Sequence, residues 1–514
     1  MNENTKSRTE HSVRNAVFAS GGKISIVIMG FICRIVFTHT LSQDYVGVNG
    51  LFYMILYALS LPEIGLATAM AYNMYEPVVN NDIEKQQSLL IYYSRFLRNV
   101  AIGIGILGLS LIPFMRIFVY SEADVSNVYL IYCMYLANTL LSYVGIYRRI
   151  VLDAHQLYHY WSIYQALTCL VQQLLQIVCL IVTHNYILYL SLLLVATICA
   201  NILTTRKANE LFPYAKERKA KCLPEAEEKE IKKNLHSILL QKGGDIAVNN
   251  TDCLILSAIA GLDIAGIYYL YYLIVESIRG VYCQVVAGVT ASVGNLGVSS
   301  GSKRIKGVFD SIYLLGHWVY GLTAICFYLI LDEFIGITFG EVFVFDGYMT
   351  LLICVNFYLI GLCQAGYLFR DSLGLFNFDR YRSIIAATIN LISSIVLGLK
   401  FGAEGVMLGT LVSTVAISIW LDPVILYKKK FKLSSIRYFA KFLLSLTETV
   451  LAFSLSLWLC SFITTKGIFP MLLRAIIGFV ITNMVYFICN YKSEAFAFLY
   501  DKGMQIVKKK LETQ

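Results

Sequence analysis

Apolar runs of about twenty residues, divided by short polar connections, recur from one end of the chain to the other. Each is long enough to cross about 30 Å of hydrocarbon as a helix, and each is too long and too evenly apolar for a barrel strand. The pattern predicts fourteen spans. Six lie near Ala16–Leu41, Val48–Tyr72, Phe96–Val119, Val128–Val151, Tyr158–Val182 and Tyr186–Thr205. After a long polar stretch come Ser237–Leu262, Ile264–Val289, Ile312–Leu331, Tyr348–Phe369, Ser383–Leu399 and Glu404–Tyr427, then Tyr438–Ile463 and Pro470–Tyr491.

The polar positions repeat as well. A shift of 219 residues carries Asn15 to Asn234, Lys23 to Lys242, Asp44 to Asp263, Gly47 to Gly266, Leu51 to Leu270, Tyr53 to Tyr272 and Ile55 to Ile274 without a gap. A lysine inside an apolar run, followed by an Asp-x-x-Gly turn, is a pattern that composition alone does not impose. The chain therefore reads as two related halves, the second opening at Asn234–Leu270.

Composition agrees with a membrane protein: 57% of the 514 residues are hydrophobic and only 15% charged, with a mean hydropathy of +0.65. A soluble domain carries roughly 25% charged residues. Arg116, Lys400, Lys466 and Arg474 are the basic residues expected on the outer side, and Lys23, Arg34, Lys242 and Arg279 fall within spans. The rest of the 42 Lys and Arg cluster on the opposite side, so both termini are expected in the cytoplasm. The +9 net charge is then a topology signal and calls for no nucleic acid. The expected organisation is a cytoplasmic N-terminus (1–15), a first lobe (16–205), a cytoplasmic linker (206–236), a second lobe (237–427), two further spans (428–491) and a basic cytoplasmic tail (492–514). Of 13 cysteines only Cys222 lies in a polar loop, and none forms a CxxC pair, so neither disulfides nor a metal are expected.

Charges inside spans cost about 2.5–3.5 kcal/mol each at mid-helix and mark functional candidates. Lys23 and Arg34 are eleven residues apart, close to three turns, which places them on one face about 16 Å apart. With Lys242 and Arg279 they form a candidate substrate-binding set suited to a phosphate or pyrophosphate. The plainer account has Lys23 snorkel or pair with Glu63. Asp252, Asp245 and Glu276 are candidates for coupling transport to H⁺ or Na⁺. Asp245 stands three residues from Lys242, and Glu276 three from Arg279, so simple neutralisation is the alternative for both. Gly297–Gly301 matches G-x-S-x-G but no strand precedes it, and no catalytic residue is expected.

The run Tyr45-Val46-Gly47-Val48-Asn49-Gly50-Leu51-Phe52, followed by Leu61-Pro62-Glu63-Ile64-Gly65, resembles the start of bacterial polysaccharide and oligosaccharide flippases. So do Asn250-Thr251-Asp252 leading to Gly266-Ile267-Tyr268, and Ser292-Val293-Gly294-Asn295. These flippases belong to the multidrug/oligosaccharidyl-lipid/polysaccharide exporter superfamily. Pro62 departs from the small residue expected at that place in the motif. The resemblance implies an all-α polytopic protein of two six-helix lobes around a central cleft, plus two C-terminal helices. It also implies alternating access in the bacterial cytoplasmic membrane, with no cofactor beyond a coupling ion. The implied substrate is an oligosaccharide on undecaprenyl pyrophosphate, moved to the outer leaflet for capsule, O-antigen or exopolysaccharide. Its partners would be that lipid-linked oligosaccharide, membrane lipids, and polysaccharide polymerase and chain-length machinery. A cation-coupled multidrug antiporter of the same superfamily is the first rival, although it would favour an acidic, aromatic cleft. A membrane-embedded polymerase or ligase is the second, and no outer loop here is long enough to suit one.

Overall fold

The computed structural model describes residues 25–60, 70, 73–115, 119, 127–155, 157–216, 223–225, 227–229, 231–232, 251–299, 302–373 and 382–501. Among these residues all regular structure is helical, and the described part of each predicted span falls largely on helix; residues 16–24, 61–69, 71–72, 116–118 and 237–250 of those spans lie outside the described residues. The protein is an all-α polytopic membrane protein. Helix α1 runs over Ser25–Thr40. It is followed by α2 (Gln43–Ser60), α3 (Ile83–Ser110), α4 (Val128–Ser142), α5 (Ile146–Ala154), α6 (Tyr158–Thr183), α7 (Tyr186–Leu211) and α8 (Asp252–Ile259). Then come α9 (Leu262–Ser299), α10 (Ser302–Phe339), α11 (Gly347–Ser372), α12 (Arg382–Ser413), α13 (Leu421–Ile425), α14 (Ile436–Cys460) and α15 (Ile468–Asn490).

Local chemistry sets the helix ends. Asp82 caps α3 by accepting from the Lys85 amide at 2.9 Å, and Asn185 caps α7 by accepting from Ile187 and Leu188 at 2.9 and 3.1 Å. Gly145, at φ +90°, breaks the fourth predicted span into α4 and α5. Gly402, at φ 68° and ψ −140°, breaks α12 where the eleventh and twelfth spans meet. Two π-helical segments, Thr414–Ser418 and Leu426–Phe431, flank the short α13.

Helices α9 and α10 are longer than their apolar runs, at 38 residues each. Such a helix is about 57 Å long and outreaches the hydrocarbon layer. Helix α10 starts at Ser302, ten residues before the predicted Ile312. Hydropathy misses this first stretch because it is amphipathic: Ile305, Phe309 and Ile312 are buried while Lys303 and Arg304 are exposed. Likewise residues 297–299, expected in a loop, end helix α9.

The chain divides into two compact units, Met1–Gly266 and Ile267–Gln514. In the first, α7 packs against α4, α5 and α6, and α2 packs against α3, α4 and α8. Repeat-matched residues meet here. A Cβ on Gly47 would overlap the Leu262 carbonyl, and one on Gly266 would lie 2.7 Å from the Gly47 nitrogen. Both sites need glycine for two backbones to approach. In the second unit α10 is central and packs against α11, α14 and α15. Aromatic rings fill its core, among them Phe309, Tyr313, Tyr320, Phe369, Tyr427 and Tyr438.

Candidate functional site

Of the residues singled out by sequence, Lys23, Lys242 and Asp245 lie outside the described residues, as does Glu63. Arg34 and Asp252 are in the first unit; Glu276 and Arg279 are in the second.

Arg34 is half-buried on α1. Its Nη1 donates to the Asn49 side-chain oxygen of α2 at 2.7 Å. Asn49 is buried, and its amide donates in turn to the hydroxyls of Tyr135 on α4 at 2.6 Å and Tyr186 on α7 at 3.1 Å. The two tyrosine hydroxyls are themselves 3.1 Å apart. The Arg34 guanidinium also sits 5.0 Å from the centre of the Phe37 ring, which packs on Tyr186 and Tyr189. Four helices therefore converge to hold one cation in an apolar setting. A guanidinium fixed on one edge by an amide keeps its planar fork oriented, which suits it to an oxyanion. Asn49 belongs to the motif quoted above, but nothing in the sequence could pair it with Tyr135 and Tyr186, 86 and 137 residues away.

Asp252 is buried at the first position of α8, where the positive end of the helix dipole favours a carboxylate. Glu276 and Arg279 pair with each other on α9 at 2.9 Å, which is the neutralisation that their spacing offered.

The second unit holds two buried polar clusters that the sequence reading missed. Asp422 accepts from Arg370 at 3.2 Å and from Arg382 at 3.3 Å, and all three are buried. The Arg382 guanidinium lies 4.6 Å from the centre of the Tyr367 ring. Hydropathy ends one span at Phe369 and begins the next at Ser383, leaving Arg370 and Arg382 to the loop; the helices enclose both, and both pair with Asp422. The signal that could have found this cluster was Asp422-Pro423, a carboxylate inside an apolar run. In the other cluster, His317 Nε2 lies 3.1 Å from a Glu448 carboxylate oxygen and Nδ1 lies 3.0 Å from the Tyr358 hydroxyl. Among the described residues no group of three or more His, Cys, Asp or Glu could hold a metal.

No protein-family model matches the sequence, and no curated protein does. Solved structures do match in fold. A lipid II flippase MurJ in an inward closed conformation superposes with a TM-score of 0.67 at 11% identity, over 92% of this chain and 98% of that one. An inward-facing multidrug resistance MATE family transporter of the MOP superfamily gives 0.56 at 13% identity, over 77% and 93%. A MATE transporter of Vibrio cholerae gives 0.55 at 12% identity, over 82% and 98%. The chain has the fold of these membrane transporters.

Proposed function

We propose, from this transporter fold, that the protein is a flippase. It moves undecaprenyl-pyrophosphate-linked oligosaccharide from the cytoplasmic to the outer leaflet by alternating access, for assembly of a cell-surface polysaccharide. The observation that carries the reading is Arg34, a cation held half-buried in a membrane helix by Asn49, Tyr135 and Tyr186. A lipid-linked pyrophosphate brings an oxyanion to such a depth while its polyprenyl tail remains in lipid. Lys23, Lys242 and Arg279 are proposed as further substrate-binding cations, Arg279 being paired with Glu276, and Asp252, Asp245 and Glu276 as the groups for an H⁺ or Na⁺ couple. In this reading the protein sits in the bacterial cytoplasmic membrane with both termini inside.

A cation-coupled multidrug antiporter is the competing reading, supported by the MATE neighbours and by the buried Asp252. Complementation of a flippase-deleted strain separates the two. Wild type is expected to restore surface polymer, whereas Arg34→Ala at equal protein level traps lipid-linked precursor, lowering polymer roughly tenfold or more. Arg34→Lys, which keeps charge without the planar fork, is expected to fall between them. Restoration by both variants would remove Arg34 from the site; drug efflux without restoration would favour the antiporter.

A further inference from the structure

The His317 cluster has a property that its distances fix. Glu448 Oε2 lies 3.1 Å from His317 Nε2 and accepts from the Asn490 amide at 2.9 Å. The Tyr358 hydroxyl, 3.0 Å from His317 Nδ1, has one proton and two more neighbours: the Ser445 carbonyl at 3.1 Å and the Thr449 hydroxyl at 2.8 Å. Thr449 also reaches the Ser445 carbonyl at 2.9 Å and the Tyr486 hydroxyl at 2.7 Å.

Two donor assignments satisfy this network. In one, His317 is neutral: Nε2–H donates to Glu448, the Tyr358 O–H donates to Nδ1, the Thr449 O–H donates to the Tyr358 oxygen and the Tyr486 O–H donates to Thr449. In the other, His317 carries both ring protons. Nδ1–H then donates to the Tyr358 oxygen, the Tyr358 O–H turns to the Ser445 carbonyl, and the Thr449 and Tyr486 hydroxyls donate as before. The change needs one added proton and the rotation of one hydroxyl; every heavy atom stays in place. The pair is enclosed, with His317 1% and Glu448 4% exposed.

We propose that His317 and Glu448 form a proton-binding site that takes up and releases one H⁺ within the second unit. It is distinct from the carboxylates Asp252, Asp245 and Glu276 assigned to ion coupling above. The groups facing the pair are few among the described residues. From α10 comes Tyr313, from α11 Tyr358, from α14 Lys441 and from α15 Tyr486 and Cys489. Lys441 is itself engaged by Asp310 at 3.2 Å, and Asp310 also pairs with Lys306. Asn490, which donates to Glu448, is half-buried at the end of α15, and its neighbour Tyr491 is exposed. If the flippase reading holds, a proton carried here offers a counter-charge for moving a pyrophosphate; the site itself does not depend on that reading.

Proton uptake by the purified full chain tests it, read with an indicator dye on a jump from mildly alkaline to mildly acidic buffer. Wild type is expected to take up one proton more than the His317→Gln/Glu448→Gln double variant. Equal uptake by two folded proteins overturns the site. Should the double variant not fold, His317→Gln alone is compared with wild type by infrared difference spectroscopy using ring-labelled histidine. Loss of a protonation band supports the site, and an unchanged spectrum overturns it. A wild type that binds the proton yet fails to restore surface polymer would sink the flippase reading alone.

Discussion

Asp422→Asn is expected to lower stability by about 3–5 kcal/mol, the cost of removing one partner from a buried ion pair. The value belongs at the upper end because this carboxylate serves two arginines. With Asp422 gone, Arg370 and Arg382 would face each other as like charges in an enclosed site, with side-chain exposures of 4% and 6%. Asparagine keeps the shape and one acceptor, so the effect isolates the charge. Arg370→Leu should be milder, since it leaves Arg382 and Asp422 as a balanced pair. Unfolding of the purified protein in detergent measures both. A loss below about 1 kcal/mol for Asp422→Asn, or the reverse order of the two variants, would mean that the cluster is not paired as described.

Opposite signs are expected at two glycines only 56 positions apart. Gly47→Ala places a methyl group against the Leu262 carbonyl, and neither backbone can rotate away as a side chain would. Overpacking of this kind costs about 1–3 kcal/mol, with more for Gly47→Val. Gly266→Ala meets the same crossing from the other side, 2.7 Å from the Gly47 nitrogen, and should cost a similar amount. Gly103→Ala on α3 meets nothing within 4 Å. It should be neutral or stabilise by up to about 1 kcal/mol, because alanine is the better helix former. Equal melting temperatures for Gly47→Ala and Gly103→Ala would mean that the helices at the Gly47 crossing separate freely.

The apolar periodicity located the helices because a span must satisfy its own backbone, and twenty successive residues carry that message locally. The matched glycines at 47 and 266 were visible as a repeat, and the structure gives their reason: each lies where two backbones touch. Side-chain partnerships were another matter. Arg34 stood out as a charge in an apolar run, yet its holders Asn49, Tyr135 and Tyr186 come from three other helices. Arg370 and Arg382 looked like loop residues because hydropathy ends a span at a charge, and only tertiary structure brings Asp422 to them. His317 and Glu448, 131 residues apart, gave no joint signal at all. Asp422 and Glu448 each stand in an apolar run with no basic residue three or four positions away, so their partners are not legible locally.

The last two helices invite treatment as a detachable module, an appendage to a twelve-helix machine. The Glu448 cluster argues otherwise. Helix α14 supplies Glu448 and Thr449, and α15 supplies Asn490 and Tyr486, so four of the groups around His317 and Tyr358 arrive after residue 435. A chain cut before α14 would leave an imidazole and a phenol on α10 and α11 turned toward lipid without their partners. Swapping this C-terminal pair between relatives should therefore fail unless the residues at 317 and 358 travel with it.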